Sequence, residues 1–432
     1  MKKTINPNRP NISWLATKLK KHKEKQIKRD LKKNNYKKSY PATDSLKEIH
    51  GTFLFCLTGR TNTLGPATLY HSNEGYTFRE VDQVTPLKVE IALINDTEIV
   101  ARSDGFIQNE VFYHPDIFLT NKEKYETKNQ AINAFTSKKE KKVLQVPKSL
   151  KKSTQLAGLT ISLIKEHSFN YYHFLFECLP KLLLIQSQID ERKIKLKSGR
   201  PVTILIDEHV PHQCLDYIHS AVSFPYQISR LAANETVHCE QLLYCSPFFN
   251  ALDNVRVKEF CISDFYVDKY AVSLVKQLSQ SMVTSTSSPH KLLYLGRTQN
   301  QKRNIINLEE LSNTLNKYEF ETVFPDRLST YEQIALFQSA LCIVGASGAA
   351  FTNIIHMQPG TTAIMLSPNL PFANYHLFQQ QADASDVNLI HIQTDNRYDV
   401  KTLHDDTYLD VTLLEALLRD KLPIKGVEND NT

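Results

Sequence analysis

No stretch of 18 or more apolar residues occurs in this chain of 432 residues, so no segment is built to cross a bilayer as a helix. The N-terminal stretch Lys18-Leu19-Lys20-Lys21-His22-Lys23-Glu24-Lys25-Gln26-Ile27-Lys28-Arg29 is too polar to read as a secretory leader. Cysteine pairing is missing as well. The seven cysteines, Cys56, Cys178, Cys214, Cys239, Cys245, Cys261 and Cys342, are odd in number and include no Cys-x-x-Cys, which points to reduced thiols in a cytoplasmic protein rather than a disulfide framework. Histidines near Cys239 and Cys245 lack ligand spacing, so no zinc site is expected. Aromatics are scarce where basic charge is dense: Trp14, Tyr36 and Tyr40 are the only ones in the first 40 residues, and a nucleic acid partner is not expected.

Charge is present but uneven. The formal net charge is +6, yet residues 1–40 hold 14 Lys/Arg against 2 Asp/Glu, a local +12 that leaves −6 for the rest of the chain. That arm is a separate electrostatic object. Two readings fit it: a solvated, partly helical extension, or a segment that holds the protein to the anionic inner face of the cytoplasmic membrane or to an acidic polysaccharide. Each Lys near an anionic surface adds ~1 kcal/mol, enough for the second reading if the arm is free.

The remaining length, in a chain that is 41% hydrophobic, suffices for two domains of ordinary size. Short β-rich runs such as Gly51–Cys56 and Val89–Ile94 open residues 46–145, and Ser137–Lys142 reads as an exposed loop. Val202–Asp207 reads as a buried parallel strand followed by a helix from His212 to Ala221. The polar, Pro-containing run Gln280–His290 marks a linker. The expected division is a basic extension over 1–45, a first Rossmann-like domain with a β-rich front end over 46–280, a second domain over 281–395, and a C-terminal helix and tail over 396–432. The amphipathic run Leu409–Leu422 should pack back as that helix, and Glu428–Thr432 should fray.

Two constellations carry chemistry. In the second half, the strand-like run Leu341–Val344 is followed by Gly345-Ala346-Ser347-Gly348-Ala349-Ala350-Phe351-Thr352-Asn353, where small residues would let a ligand approach the backbone and the amides of the next helix would suit an anion. Upstream, Leu292–Leu295 ends in Gly296-Arg297, with Arg303 six residues on; two guanidiniums there suit a diphosphate, or are simply solvated. Ser329 and Glu332 have capping-box spacing, so Glu332 is read as structural. In the first half, Asn170-Tyr171-Tyr172-His173-Phe174-Leu175-Phe176-Glu177-Cys178-Leu179-Pro180-Lys181 sets Asn170, His173 and Glu177 on one helix face. His173 and Glu177, four apart, could form a carboxylate-oriented base, or a satisfied core histidine pair. Pro180 implies a kink or a helix start.

These segments in this order, from Asn170–Lys181 through Arg297, Arg303 and Asn307–Leu311 to Ser329–Gln333, Gly345–Asn353 and Pro359-Gly360, resemble family 61 glycosyltransferases over about residues 150 to 370. Bacterial members include capsular polysaccharide biosynthesis proteins. The resemblance implies an α/β fold of GT-B type, two Rossmann-like domains facing a cleft, and inverting sugar transfer from a nucleotide-sugar held mostly by the C-terminal half. His173 and Glu177 fall on the family's His and acidic positions, Arg297 and Arg303 on its arginines, and Gly348 and Asn353 on its Gly and Asn. Ser347 stands where many members have His. On this reading His173 and Glu177 are catalytic; Arg297, Arg303, Ser347, Gly348, Ala349 and Asn353 bind the donor; Asn170, Glu332 and Gly345 support them. The acceptor is a polysaccharide or lipid-linked glycan. No Asp-x-Asp occurs, and the pairs Asp405-Asp406 and Glu309-Glu310 lack metal-binding geometry, so metal-independent transfer with no cofactor is expected. Transfer of a polyol-phosphate in capsule assembly, and a sugar-binding subunit without activity, are the alternatives.

Overall fold

The computed structural model describes residues 51–60, 62–63, 67–71, 74–78, 83–84, 86, 88–109, 111–113, 125–127, 151–196, 199–233, 235–248, 255–257, 267–284, 287–297, 302–370, 375–395, 400, 402 and 404–422. The basic extension, the Lys-rich stretch 137–142, Cys261 and the tail 428–432 lie outside them.

The described chain is built on two large mixed sheets. In the first, the strands Tyr226–Leu231, Val202–Asp207, Lys151–Ser162 and Glu235–Cys245 lie side by side and parallel. Val202–Asp207 is buried at all six positions, as an apolar strand covered on both faces requires. In chain order these four run third, second, first, fourth, the order of half a Rossmann sheet, which reverses direction beside Lys151–Ser162. The front-end strand Val89–Val100 continues the sheet antiparallel to Glu235–Cys245, with Gly51–Leu57 also pairing against it.

The second sheet runs Glu321–Val323, Lys291–Leu295, Ala340–Ala346, Thr362–Pro368, Asn388–Thr394 and Ala67–His71, all parallel, and ends in the antiparallel Glu74–Phe78. Its first five strands have the order 2-1-3-4-5, with the reversal between Lys291–Leu295 and Ala340–Ala346. The strands Ala67–His71 and Glu74–Phe78 belong to this sheet although the sequence division groups them with residues 46–280. Ala67 and Leu69, almost fully buried, explain why they dock there. The helix Val411–Lys421, capped by Asp410, buries Leu413, Leu414, Leu417 and Leu418 in the same half's core.

Apolar packing joins the halves. Ile334 and Ile355, from the second half, belong to the core of the first, with Leu175, Leu179, Tyr217 and Val272. Hydrogen bonds run alongside: Thr330 Oγ1 donates to the Gln213 carbonyl at 2.8 Å, and the Tyr171 hydroxyl donates to Asn353 Oδ1 at 2.9 Å. The ends of the parallel strands at both reversal points therefore keep a fixed relation.

Candidate active site

The first reversal point is followed by one long helical segment. Asn170 caps it by accepting from the Tyr172 amide at 2.9 Å, Tyr171–His173 is α-helical, Phe174–Cys178 is a π turn, and Leu179–Asp190 is α-helical again. Pro180 explains the widened turn. In a regular helix its ring would press on the Phe176 carbonyl, to which it also has no N–H to donate. The wider turn instead sends the Leu179 amide to the Phe174 carbonyl. The helix passes through Pro180 rather than starting at it, and π turns of this kind concentrate at functional sites.

Across that turn His173 Nδ1 meets Glu177 Oε1 at 2.6 Å, and Glu177 Oε2 meets Lys165 Nζ at 3.0 Å. Lys165 sits just past the strand Lys151–Ser162 and is buried, Glu177 is wholly buried, and the His173 side chain keeps 27% of its surface exposed. Burial raises the Glu177 carboxyl pKa, but the opposing Lys165 charge and then His173 outweigh it and leave it below the usual carboxylate range. An ionised Glu177 fixes the imidazole's orientation through Nδ1.

The sign of this shift has a measurable consequence. A carboxyl whose folded pKa is lowered contributes stability that is complete above its unfolded value of ~4.3 and is lost as pH falls toward the folded value. Urea unfolding of wild type and Glu177→Gln between pH 7 and pH 3 should show the wild type losing more stability than the variant. Parallel curves would mean that Glu177 is not ionised in the folded state.

At the second reversal point, the strand Lys291–Leu295 delivers Arg297 and the strand Ala340–Ala346 delivers Ser347 and Gly348. The arginines do not stand out as a free clamp. Arg297 donates to the Lys302 carbonyl at 2.9 Å and the Ser347 carbonyl at 3.0 Å, and Arg303 donates to the same Ser347 oxygen at 2.9 Å. The Ser347 amide is also engaged, donating to the Leu366 carbonyl at 2.9 Å. Burial and the neighbouring Arg303 charge lower the Arg297 pKa. Arg303 has φ +66°, an unusual backbone for a branched-out side chain, and its buried Nε has no hydrogen-bond partner among the described residues. That N–H is a donor available to an anion.

Glycine roles change accordingly. A Cβ on Gly348 would overlap the Arg297 guanidinium, so this glycine makes room for the arginines rather than for a ligand alone. A Cβ on Gly345 would lie 2.8 Å from the Leu295 Cβ, a requirement of strand packing. Asn353 is buried, accepts from Tyr171 and donates to Gln333 Oε1 at 2.8 Å; it ties the halves together and does not line the cleft. Glu332 closes the capping box on Ser329, as its spacing indicated.

Asn170, His173, Arg303, Ser347, Gly348 and Ala349 line one cleft of about 220 Å³, into which the two reversal points open. The Glycosyltransferase 61 family model matches residues 171–364. The match begins at the head of the His173 helix and ends in the strand after the arginine-braced loop. Residues 171–364 are a family 61 glycosyltransferase region. No curated protein sequence matches the chain.

Within this glycosyltransferase, Glu177 and Arg297 stand behind the residues that face the cleft, and Asn353 stands apart from it. Sequence reasoning missed Lys165, although a lysine directly after the apolar Leu163-Ile164 at a strand end was a readable signal. It also missed Met365, Ser367, Tyr375, Leu377, Phe378 and His391, which complete the cleft and come from strand interiors and a helix start that no motif marks. The acidic pairs serve local structure: Asp406 Oδ1 accepts from the Asn304 amide at 2.7 Å, Asp405 Oδ2 from the Thr402 amide at 2.8 Å, and Glu310 Oε2 from Asn307 at 2.8 Å. Among the described residues no helix is long and apolar enough to cross a membrane.

Proposed function

We propose that this glycosyltransferase moves a sugar, with inversion at the anomeric carbon, from a nucleotide-sugar to a hydroxyl of a growing capsular or surface polysaccharide or lipid-linked glycan. The observation that carries the reading is the cleft itself, where His173, backed by buried Glu177 and Lys165, faces Arg303 and the Ser347-Gly348 loop. The two reversal-point sheets that open on one cleft support a GT-B arrangement. His173 Nε2 takes the acceptor hydroxyl proton while that oxygen attacks the anomeric carbon. The bond from that carbon to the β-phosphate oxygen breaks on the opposite side, and the nucleoside diphosphate leaves. Arg303 Nε and the amides opening the Ala349–His356 helix take up its charge, which gives the transfer an electrostatic partner other than a divalent cation. Glu177 is wholly buried and cannot reach an acceptor, which favours His173 as the base.

A panel of nucleotide-sugars screened by thermal shift, followed by NMR of the product linkage, tests the proposal. The stabilising donor should give a product of inverted anomeric configuration. Retention of configuration, or consumption of a polyol-phosphate donor instead, would overturn it.

Arg303→Ala should weaken nucleoside diphosphate binding by about 1–3 kcal/mol, because one charge-assisted contact is removed. Arg297→Ala should weaken it less, because Arg297 acts through the Ser347 carbonyl. Equal affinity for diphosphate in wild type and Arg303→Ala, by calorimetry, would remove Arg303 from the donor site.

For the basic extension we propose contact with anionic membrane lipid. Deleting residues 1–40 should leave the fold intact and strongly reduce binding to anionic liposomes. Salt should release the full-length protein, since such attraction is screened over ~8 Å at physiological ionic strength. Equal liposome binding by the truncated protein would refute the contact.

A further inference from the structure

The cleft extends from the Ser347-Gly348 loop to residues of the second sheet. Met365 and His391 are paired in register on the adjacent strands Thr362–Pro368 and Asn388–Thr394, and both line the recess with Tyr375, Leu377 and Phe378. His391 is 1% exposed, and among the described residues neither of its ring nitrogens has a hydrogen-bond partner. A buried polar group left in that condition costs stability and calls for an explanation. Burial, with His376 adding to it, pushes the His391 pKa down to about 3, so the ring is neutral and offers one donor and one acceptor. The Tyr375 ring stands edge-on to it, with centroids 5.4 Å apart, and is itself held by its hydroxyl donating to the Pro368 carbonyl at 3.1 Å.

The recess has apolar walls in Met365, Leu377 and Phe378 and two buried polar side chains, Ser367 and His391. A sugar, with hydroxyls in several directions, would need several partners there; a planar heterocycle needs apolar cover on its faces and a hydrogen bond at its edge. Position agrees. His391 is two strands from Ala340–Ala346, which is about 10 Å at the usual spacing between neighbouring strands. A nucleotide with its diphosphate at the Ser347-Gly348 loop could set its base that far away.

We propose that His391 reads the nucleobase of the donor, hydrogen-bonding the base edge while Met365, Tyr375 and Phe378 cover its faces. The assignment rests on the nucleotide-sugar reading of the cleft and adds a specificity-determining residue to it.

Calorimetry with UDP, CDP, GDP, ADP, nucleotide-sugars of the same four bases and inorganic pyrophosphate, on wild type, His391→Leu and His391→Gln, tests it. Wild type should prefer one base, and His391→Leu should bind that nucleoside diphosphate about tenfold more weakly or worse, with the spread among the four bases narrowed and pyrophosphate affinity unchanged. Its melting temperature should hold or rise, because the unpartnered nitrogens are gone. His391→Gln, which keeps a donor and an acceptor, should recover part of the preference, and it carries the test if the leucine variant does not fold. An unchanged base preference in the variants overturns the assignment. So does an equal loss of pyrophosphate, which would place His391 at the diphosphate, or a loss confined to intact nucleotide-sugars, which would place it at the sugar. If wild type binds pyrophosphate but none of the four nucleoside diphosphates, the donor reading itself falls and takes this assignment with it.

Discussion

His173→Ala should lower the rate of sugar transfer by about 10²–10⁴-fold, the range a positioned general base contributes, and leave donor affinity within about threefold. The split follows from where His173 sits. Its ring reaches the cleft beside the site proposed for the acceptor, while the contacts proposed for the donor come from Arg303 and the Ser347-Gly348 loop on the other sheet. A base acts on the transition state and contributes little to the bound ground state. Turnover above about one tenth of wild type would remove His173 from that role. Glu177→Gln should lose less activity than His173→Ala but more stability, because it leaves the buried Lys165 ammonium without its carboxylate, a loss of roughly 3–5 kcal/mol for a broken buried pair. Donor binding, transfer rate and urea unfolding measured on the same two variants separate these effects.

The second large effect is expected at Gly348. A Cβ there would overlap the Arg297 guanidinium, which is pinned by the Lys302 and Ser347 carbonyls. Because the colliding atom is the end of a side chain, the fold can absorb the collision by displacing Arg297. The site cannot, since Arg297 holds the Ser347 carbonyl that Arg303 also grips. Gly348→Ala should therefore cost about tenfold or more in kcat/KM with little change in melting temperature, and Gly348→Val more still. A double-mutant cycle identifies the cause. In an Arg297→Ala background the added methyl meets Arg303 Nη1, at 3.2 Å, and the overlap with Arg297 is gone, so the further loss from Gly348→Ala should shrink by at least ~1 kcal/mol. Additive losses would show that the glycine matters for the ligand's approach and not for the arginine.

Much of the site was legible in the sequence because its residues lie in short motifs at strand-to-helix turns. The spacing of His173 and Glu177 gave their contact, since neighbours four apart on a helix meet whatever surrounds them. Ser329 and Glu332 gave their capping box for the same reason of local geometry. Small residues after Leu341–Val344 marked the turn that does line the cleft. The π turn at Phe174–Cys178 follows from Pro180, but only the packed helix decided whether the chain would break there or widen.

What the sequence determined by itself was therefore the local chemistry: two turns carrying a histidine–carboxylate pair and a small-residue loop with arginines, and the family they belong to. Tertiary structure decided partners and facing. It set Lys165 on the far oxygen of Glu177, turned both arginines onto one backbone carbonyl, and gave Asn353 to Tyr171 and Gln333 instead of to a ligand. It also carried the strands Ala67–His71 and Glu74–Phe78 across to the second sheet and brought His391 to the cleft. Spacing fixes a contact only within a few residues, where the backbone holds the two side chains to one geometry. Contacts between residues tens to hundreds of positions apart are chosen by burial of apolar surface and by the hydrogen bonds that burial makes obligatory.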